Sequence, residues 1–343
     1  VPWHSIRGHD RVVDQLKSSL RNERLPHALF FVGPEGIGKR TIARKLAQSL
    51  LCEVRSATEL DPCEKCPGCL QVAGATHPDF LEAAKPEDKH ELPISVIREL
   101  CDWFGLKPSR GGYKIAILDD ADDLNDEASN AFLKTLEEPP PGAVLILIGS
   151  SAELQLETII SRCQVIRFDP LDDSDIAALL LEQRVVTDQA SAERLAALGE
   201  GSFSRALGLA DAALGEFRRS LIDDIAAPHG FDPQDLARKI QANINQAGKE
   251  SVDKRRRASL LVGELARFFR RVLWETSGLA PPYPDDADRQ AAEAVARRVE
   301  PEDVLVLADR CLQADFHVHR RLYMPLIIET LTHDLAKLLN SRA

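Results

Sequence analysis

Nothing in this chain approaches the length of an apolar run needed to span a bilayer, so a membrane-spanning helix is not expected. It has no low-complexity tract and no internal repeat, which argues against a solenoid or a disordered tether. It also lacks a surplus of positive charge. Basic residues number 43 against 54 acidic ones, a formal charge of −11. Because attraction to phosphate dominates affinity for nucleic acid, an autonomous DNA binder is not expected. No secretory signal opens the sequence, which begins at Val1; a short native stretch ahead of it is an expectation. The 343 residues have room for two or three domains.

One absence is local. Residues Gly33-Pro34-Glu35-Gly36-Ile37-Gly38-Lys39-Arg40-Thr41 follow an apolar run, Ala28 to Val32, and precede a helical pattern with Ile42, Leu46 and Leu50 on one face. Strand, glycine loop and helix form the context of a phosphate-binding loop. Gly33, Gly36 and Gly38 let backbone N–H groups curl around an anion, and the helix points its positive end at it. Lys39 would reach the β- and γ-phosphates of ATP, or the β-phosphate of ADP. The next residue should carry a hydroxyl for Mg²⁺. Here it is Arg40, and Thr41 comes one residue late, about 100° further round the helix. The cradle is kept and the Mg²⁺ site is damaged.

A second departure lies downstream. Lys114 to Leu118 reads as a buried parallel strand leading to Asp119 and Asp120. Asp119 fits the strand-end carboxylate found near the metal in P-loop nucleotidases. The following position usually holds a Glu that polarises water. Asp120 is one methylene shorter, and misplacing a catalytic group is costly. The chain's own hydrolysis is therefore expected to be weak or absent. A helix N-cap is the plainer alternative for the two carboxylates.

The stretch Asn130 to Pro140, NAFLKTLEEPP, closely resembles the hallmark of bacterial sliding-clamp loader subunits, and Ser161-Arg162-Cys163 resembles their signature. Ile6-Arg7-Gly8-His9, Pro26 to Phe30 and Arg110 to Lys114 resemble further motifs, so the likeness runs over roughly residues 1–210. It implies an AAA+ ATPase fold and membership of the DNA polymerase III clamp-loader complex. Degenerate nucleotide motifs beside a kept Ser-Arg-Cys arginine are similar to the delta-prime type. The resemblance implies that Arg162 serves a neighbour's bound ATP. An arginine supplied in trans is worth ~10³–10⁵ in rate. It further implies gamma/tau and delta subunits as partners in a hetero-pentamer, with the sliding clamp and primed DNA reached through the complex. The family's second sensor arginine is displaced here: in Gly201-Ser202-Phe203-Ser204-Arg205, Ser204 stands where the arginine belongs. Ser150 or Ser151 is the candidate first sensor.

Four of seven cysteines cluster: Cys52, Cys63, Cys66 and Cys69. A C-x₂-C-x₂-C knuckle plus a fourth thiolate suits structural Zn²⁺ with all four positions filled by protein. The ferredoxin continuation x₃-C-P is absent, and a cytoplasmic setting disfavours disulfides. Free thiols are the alternative. The clamp-loader resemblance also implies a zinc module at this place. Cys101, Cys163 and Cys311 are scattered and read as core residues.

Strands and helices alternate over 1–168, the α/β pattern of a doubly wound parallel sheet bearing the zinc module at 52–69. No strand pattern follows. Helices at Ser174–Gln183 and Ala190–Leu198 suggest a small helical lid, 169–211, and 212–343 reads as an all-α collar. Asp232-Pro233 caps a helix, Pro301-Glu302-Asp303 opens another, and Leu322 to Leu339 closes the chain. Lys254 to Arg257 with Arg267, Arg270 and Arg271 forms a basic segment, read as the outer face of a helix whose Leu260, Leu261, Leu265, Phe268 and Phe269 turn inward. Contact with DNA is the sharper alternative. His9 and His77 have no nucleophile spaced to pair with them and read as structural. Two rival functions stay open: an active gamma-type ATPase, in which Thr41 rescues the metal site, and a zinc-dependent nucleic-acid adaptor.

Overall fold

A computed structural model describes residues 6–86, 89, 91–109, 112–280 and 282–342. Arg110 and Gly111, part of the approach to the second carboxylate strand, lie outside the described residues. The chain divides into two compact units, Val1–Asp175 with Gly201–Ser204, and Ile176–Glu200 with Arg205–Ala343. Residues 176–200 and 205–211 thus fall in the same unit as 212–343.

Among the described residues the first unit holds five strands: β1 (Ala28–Val32), β2 (Phe80–Ala83), β3 (Lys114–Leu118), β4 (Ala143–Gly149) and β5 (Gln164–Arg167). They form one parallel sheet in the order β2-β3-β4-β1-β5. Every residue of β1, β3 and β4 is buried, as expected of parallel strands covered on both faces. The edge strands β2 and β5 are only partly buried. Pairing Val32 with Gly149 and Leu118 with Leu147 brings the C-terminal ends of the three central strands side by side. In open parallel sheets this end receives ligands.

The described helices up to β5 are, in chain order, α1 (Asp10–Arg21), α2 (Lys39–Leu50), α3 (Pro67–Ala73), α4 (Ile94–Phe104), α5 (Asp126–Glu137) and α6 (Glu157–Ile160). In α2, Ile42, Leu46 and Leu50 are buried as their spacing requires. Helix α5 starts where the Asn125 side chain accepts the Ala128 N–H, and Asp126 and Glu127 suit its positive end. Its Phe132 and Leu136 join Ile97, Leu100 and Phe104 of α4 in one core with the sheet.

Among the described residues the chain after β5 is helical: α7 (Asp173–Glu182), α8 (Gln189–Gly199), α9 (Phe203–Gly208), α10 (Ala212–Ala226), α11 (Pro233–Gln246), α12 (Ser251–Thr276), α13 (Asp286–Ala296), α14 (Pro301–His319) and α15 (Met324–Leu339). The last begins two residues later than its apolar pattern, since Tyr323 caps it with Pro325 in the first turn. Leu261, Leu265, Phe268 and Phe269 of α12 pack with Val304, Leu307 and Cys311 of α14 and with Leu331 and Leu335 of α15. Under this core Arg218 of α10 donates to Glu264 of α12 at 2.7 Å and to Asp288 of α13 at 2.6 Å, all three buried. Removing one member of such a network leaves an uncompensated charge, at about 3–5 kcal/mol. Among the described residues no helix is long and apolar enough to cross a membrane.

Candidate phosphate loop and thiolate centre

The loop between β1 and α2 has the backbone its glycines foretell. Gly36 and Gly38 have φ of 73° and 105°, in the left-handed region that favours glycine. A side chain on Gly36 would also strike Ser202 Oγ and Ser204 Cβ, each 2.5 Å from its first carbon. The Ser204 N–H donates to Gly36 O at 3.2 Å, so the Gly201–Ser204 segment lies directly on the loop. From the other side His9, buried, bonds through Nε2 to Ile37 O at 2.6 Å and stacks edge-on against Phe168. His9 therefore supports the loop.

Lys39 begins α2 and is buried. Its ammonium donates to the loop's own carbonyls, Gly33 O and, at 2.7 Å, Pro34 O. Burial holds this ammonium below its ordinary pKa, with Glu35, Asp119 and Asp122 pulling it back up. Arg40 turns to the sheet. Its Nη1 lies 3.6 Å from Asp119 Oδ2 and its Nη2 3.4 Å from Glu82 Oε2. Glu82, on β2, also receives two hydrogen bonds from Arg44. Burial raises the Glu82 carboxyl, but the Arg44 and Arg40 guanidinium groups outweigh it and hold it below the usual range. Thr41 sits in the first turn of α2, one residue past the position a metal-binding hydroxyl would take.

Asp119 and Asp120 follow β3 directly, and the Asp120 N–H donates to Asp119 Oδ1 at 3.1 Å. Asp120 has φ 55° and opens a short turn. Partial desolvation, with the Asp119 charge alongside, raises its carboxyl above the ordinary value although the residue is exposed. Asp122 reaches the end of β4, where Oδ2 accepts the Ser150 N–H at 2.5 Å. The Ser151 side chain instead caps a local turn. The donor set does not fit Mg²⁺ in the usual manner. The hydroxyl is displaced, and a guanidinium lies against the carboxylate that would hold the ion.

Two arginines have partners of their own. Arg205 donates to Leu198 O and pairs with Glu200 and Glu264, all in the second unit. Glu200 also holds Arg270 and Arg271 of the basic segment, and Arg257 pairs with Asp211. Arg162, just past α6, donates to Glu137 Oε1 at 2.5 Å and to Thr158 O at 2.8 Å, with a third of its side chain exposed.

Past α2, which ends at Leu50, the four clustered cysteines converge. The Sγ atoms of Cys52, Cys63, Cys66 and Cys69 all lie within 4.8 Å of one another. Cys63 and Cys69 are 3.9 Å apart, far beyond a disulfide and close to the ~3.8 Å of a tetrahedral Zn–S₄ edge. Backbone N–H groups of Arg55, Cys66 and Cys69 donate to Cys52, Cys63 and Cys66. The amides of Lys65 and Cys66 bring the Cys63 thiol down to about 6. Burial acts the other way on Cys69 and raises it. These donors fit a soft divalent ion. Gln48 Nε2 donates to Cys69 O at 3.1 Å, and Lys45 pairs with Glu64, which ties the knuckle to α2. Of the other cysteines Cys311 is fully buried, while Cys101 and Cys163 sit half-buried at the edge of the first unit's core.

Residues 8–172 match the family described as DNA polymerase III, delta subunit. The first half of the chain is thus similar to DNA polymerase III clamp-loader subunits. It is 36% identical over 186 residues to the DNA polymerase III subunit delta′ of Bacillus subtilis, covering 54% of this chain and 55% of that protein. It is 34% identical to the delta′ subunit of Pseudomonas aeruginosa, covering 58% of this chain and 60% of that one. It is also 30% identical to the tau/gamma subunit of Haemophilus influenzae, over 65% of this chain and 32% of that protein. The matches thus span from a third to three-fifths of these relatives' lengths.

Some of the residues at these sites had no signal in the sequence. Glu82 lies on a four-residue edge strand whose pattern is too short and too half-buried to read. Asp122 was one acid in a run of them. Glu137 was visible only as part of the family hallmark, with nothing to say that it faces Arg162.

Proposed function

We propose that the chain is a delta-prime-like, non-motor subunit of a DNA polymerase III clamp loader. In this reading it sits beside a gamma or tau subunit, with delta in the same ring, and contributes to ATP-dependent loading of a sliding clamp onto primed DNA. Residues 169–211 act as a helical lid and 212–343 as the collar that joins subunits. The observation that carries the reading is the Arg40–Asp119 pair, because it leaves the chain's own loop without the donor set for Mg²⁺. Arg162, partly exposed and steadied by Glu137 and Thr158, is the candidate arginine finger. It would stabilise charge on a neighbour's transferring phosphoryl group, while the neighbour supplies loop, metal and water.

The four thiolates are proposed to hold Zn²⁺, which would supply a rigid cross-link for a turn-rich segment and no open position for chemistry. The residues themselves present lone pairs, donate N–H groups to sulfur and anchor the knuckle on α2 through Gln48 and Lys45.

The decisive experiment measures ATP hydrolysis by the chain alone, then by the complex reconstituted with gamma or tau, delta, clamp and primed DNA. The expected outcome is no turnover alone and turnover in the complex that falls at least about a hundredfold with Arg162→Ala. An unchanged rate in the Arg162→Ala complex would remove the finger. The matches to tau/gamma proteins favour a second reading, an active gamma-type ATPase. Robust turnover by the isolated chain, abolished by Lys39→Ala, would establish that reading instead.

A further inference from the structure

We propose that the Arg40 guanidinium takes over the electrostatic part of the divalent cation at the loop, so that this site binds a nucleoside triphosphate free of metal. The inference rests on reading Gly33 to Thr41 as a phosphate cradle and is independent of the trans role of Arg162.

Three observations carry it. The first is position. Arg40 is the residue after Lys39, at the start of α2, where a metal-binding hydroxyl would stand. The second is its partner. Its Nη1 faces Asp119 at 3.6 Å, so a positive charge already lies against the carboxylate that would have to approach a metal to ~2.1 Å. A divalent ion brought there would displace the guanidinium or be repelled by it.

The third is looseness. The contacts to Asp119 and Glu82, at 3.6 and 3.4 Å, are longer than the ~2.7–2.9 Å of a tight charge-assisted bond. Half of the Arg40 side chain is exposed. Glu82 keeps Arg44 as a two-pronged partner when Arg40 swings away, so the movement leaves no buried charge uncompensated. A guanidinium is a fixed fork of donors whose geometry matches phosphate oxygens. It needs no ligand water and no hydroxyl. With Lys39 it places two cations at a strand end otherwise lined by Asp119, Asp120 and Asp122, which would repel a bare polyphosphate.

The test is calorimetric titration of the full chain with ATP, in EDTA and in excess Mg²⁺. For the native chain the expected affinity in EDTA is at least as high as in Mg²⁺. Arg40→Thr is expected to weaken binding in EDTA at least about tenfold, the worth of one charge-assisted hydrogen bond, and to recover it when Mg²⁺ is added. Because Arg40 is half exposed, the variant should fold normally, which a thermal melt verifies. Native binding that appears only with Mg²⁺, or an Arg40→Thr affinity unchanged in EDTA, would overturn the role of Arg40 while leaving the cradle. Absence of ATP binding in both buffers would overturn the cradle itself, and with it this inference.

Discussion

The two ends of α2 are built for charge of different kinds. At the N-terminal end a glycine loop and Lys39 form the proposed anion cradle, and the Arg40 guanidinium stands against Asp119. Beyond the other end, four sulfur atoms close on one point, three of them accepting backbone N–H bonds. The backbone is competent at both ends, and the side-chain donors decide what each can hold. Thiolates with no open position suit a structural ion. A hydroxyl moved by one residue, with Arg40 in its place, does not suit Mg²⁺. The thiolate end should therefore govern stability and the loop end ligand choice.

The strongest way to break this contrast is Cys66→Ser. Cys66 is buried, offers a sulfur to the cluster and caps α3 by accepting the Cys69 N–H. The native chain is expected to carry one zinc per molecule by emission spectroscopy, and the variant almost none. The variant should also lose several kcal/mol in chemical denaturation, less than the ~10–16 kcal/mol of an isolated zinc finger because α2 persists without it. Full metal content in the variant would contradict a four-thiolate centre.

An intermediate effect is expected for Gly36→Ala. The left-handed φ of 73° and the 2.5 Å approach to Ser202 and Ser204 leave no room for a methyl group. The cost should be about 1–3 kcal/mol, with faster hydrogen exchange at the Ser204 amide. A native-like Ser204 exchange rate would mean that the serine segment does not rest on the loop.

Arg40→Ala should have the smallest effect on stability, within about 1 kcal/mol, because half-exposed ion pairs contribute little. A larger loss in urea denaturation would show Arg40 to be a structural strut and would blur the distinction between the two ends of the helix.

Much of this was legible in the sequence. The strand, glycine loop and helix were readable because their signals are local: an apolar run, three glycines, and Ile42, Leu46 and Leu50 at helical spacing. The cysteine knuckle was readable because two-residue spacings bend a chain so tightly that few other uses exist. Strand β2 was not, since Phe80–Ala83 is short and its outward residues are only half-buried. The start of α15 was misread because Leu322 fits the apolar period although the helix opens only at Met324. The basic segment looked free in the sequence, yet Arg270 and Arg271 converge on Glu200, and Arg257 on Asp211.

The sequence alone determined the alternating strands of the sheet, the glycine loop with Arg40 ahead of Thr41, and the clustering of four cysteines. Each follows from periodicity or spacing within a short stretch. Only the tertiary structure decided that Arg40 faces Asp119 and Glu82, that Ser204 rests on Gly36 while Arg205 turns to Glu200, and that Glu137 holds Arg162. Those partners are remote in sequence. The order β2-β3-β4-β1-β5 and the packing that follows from it set which side chains meet, and no local pattern encodes that order.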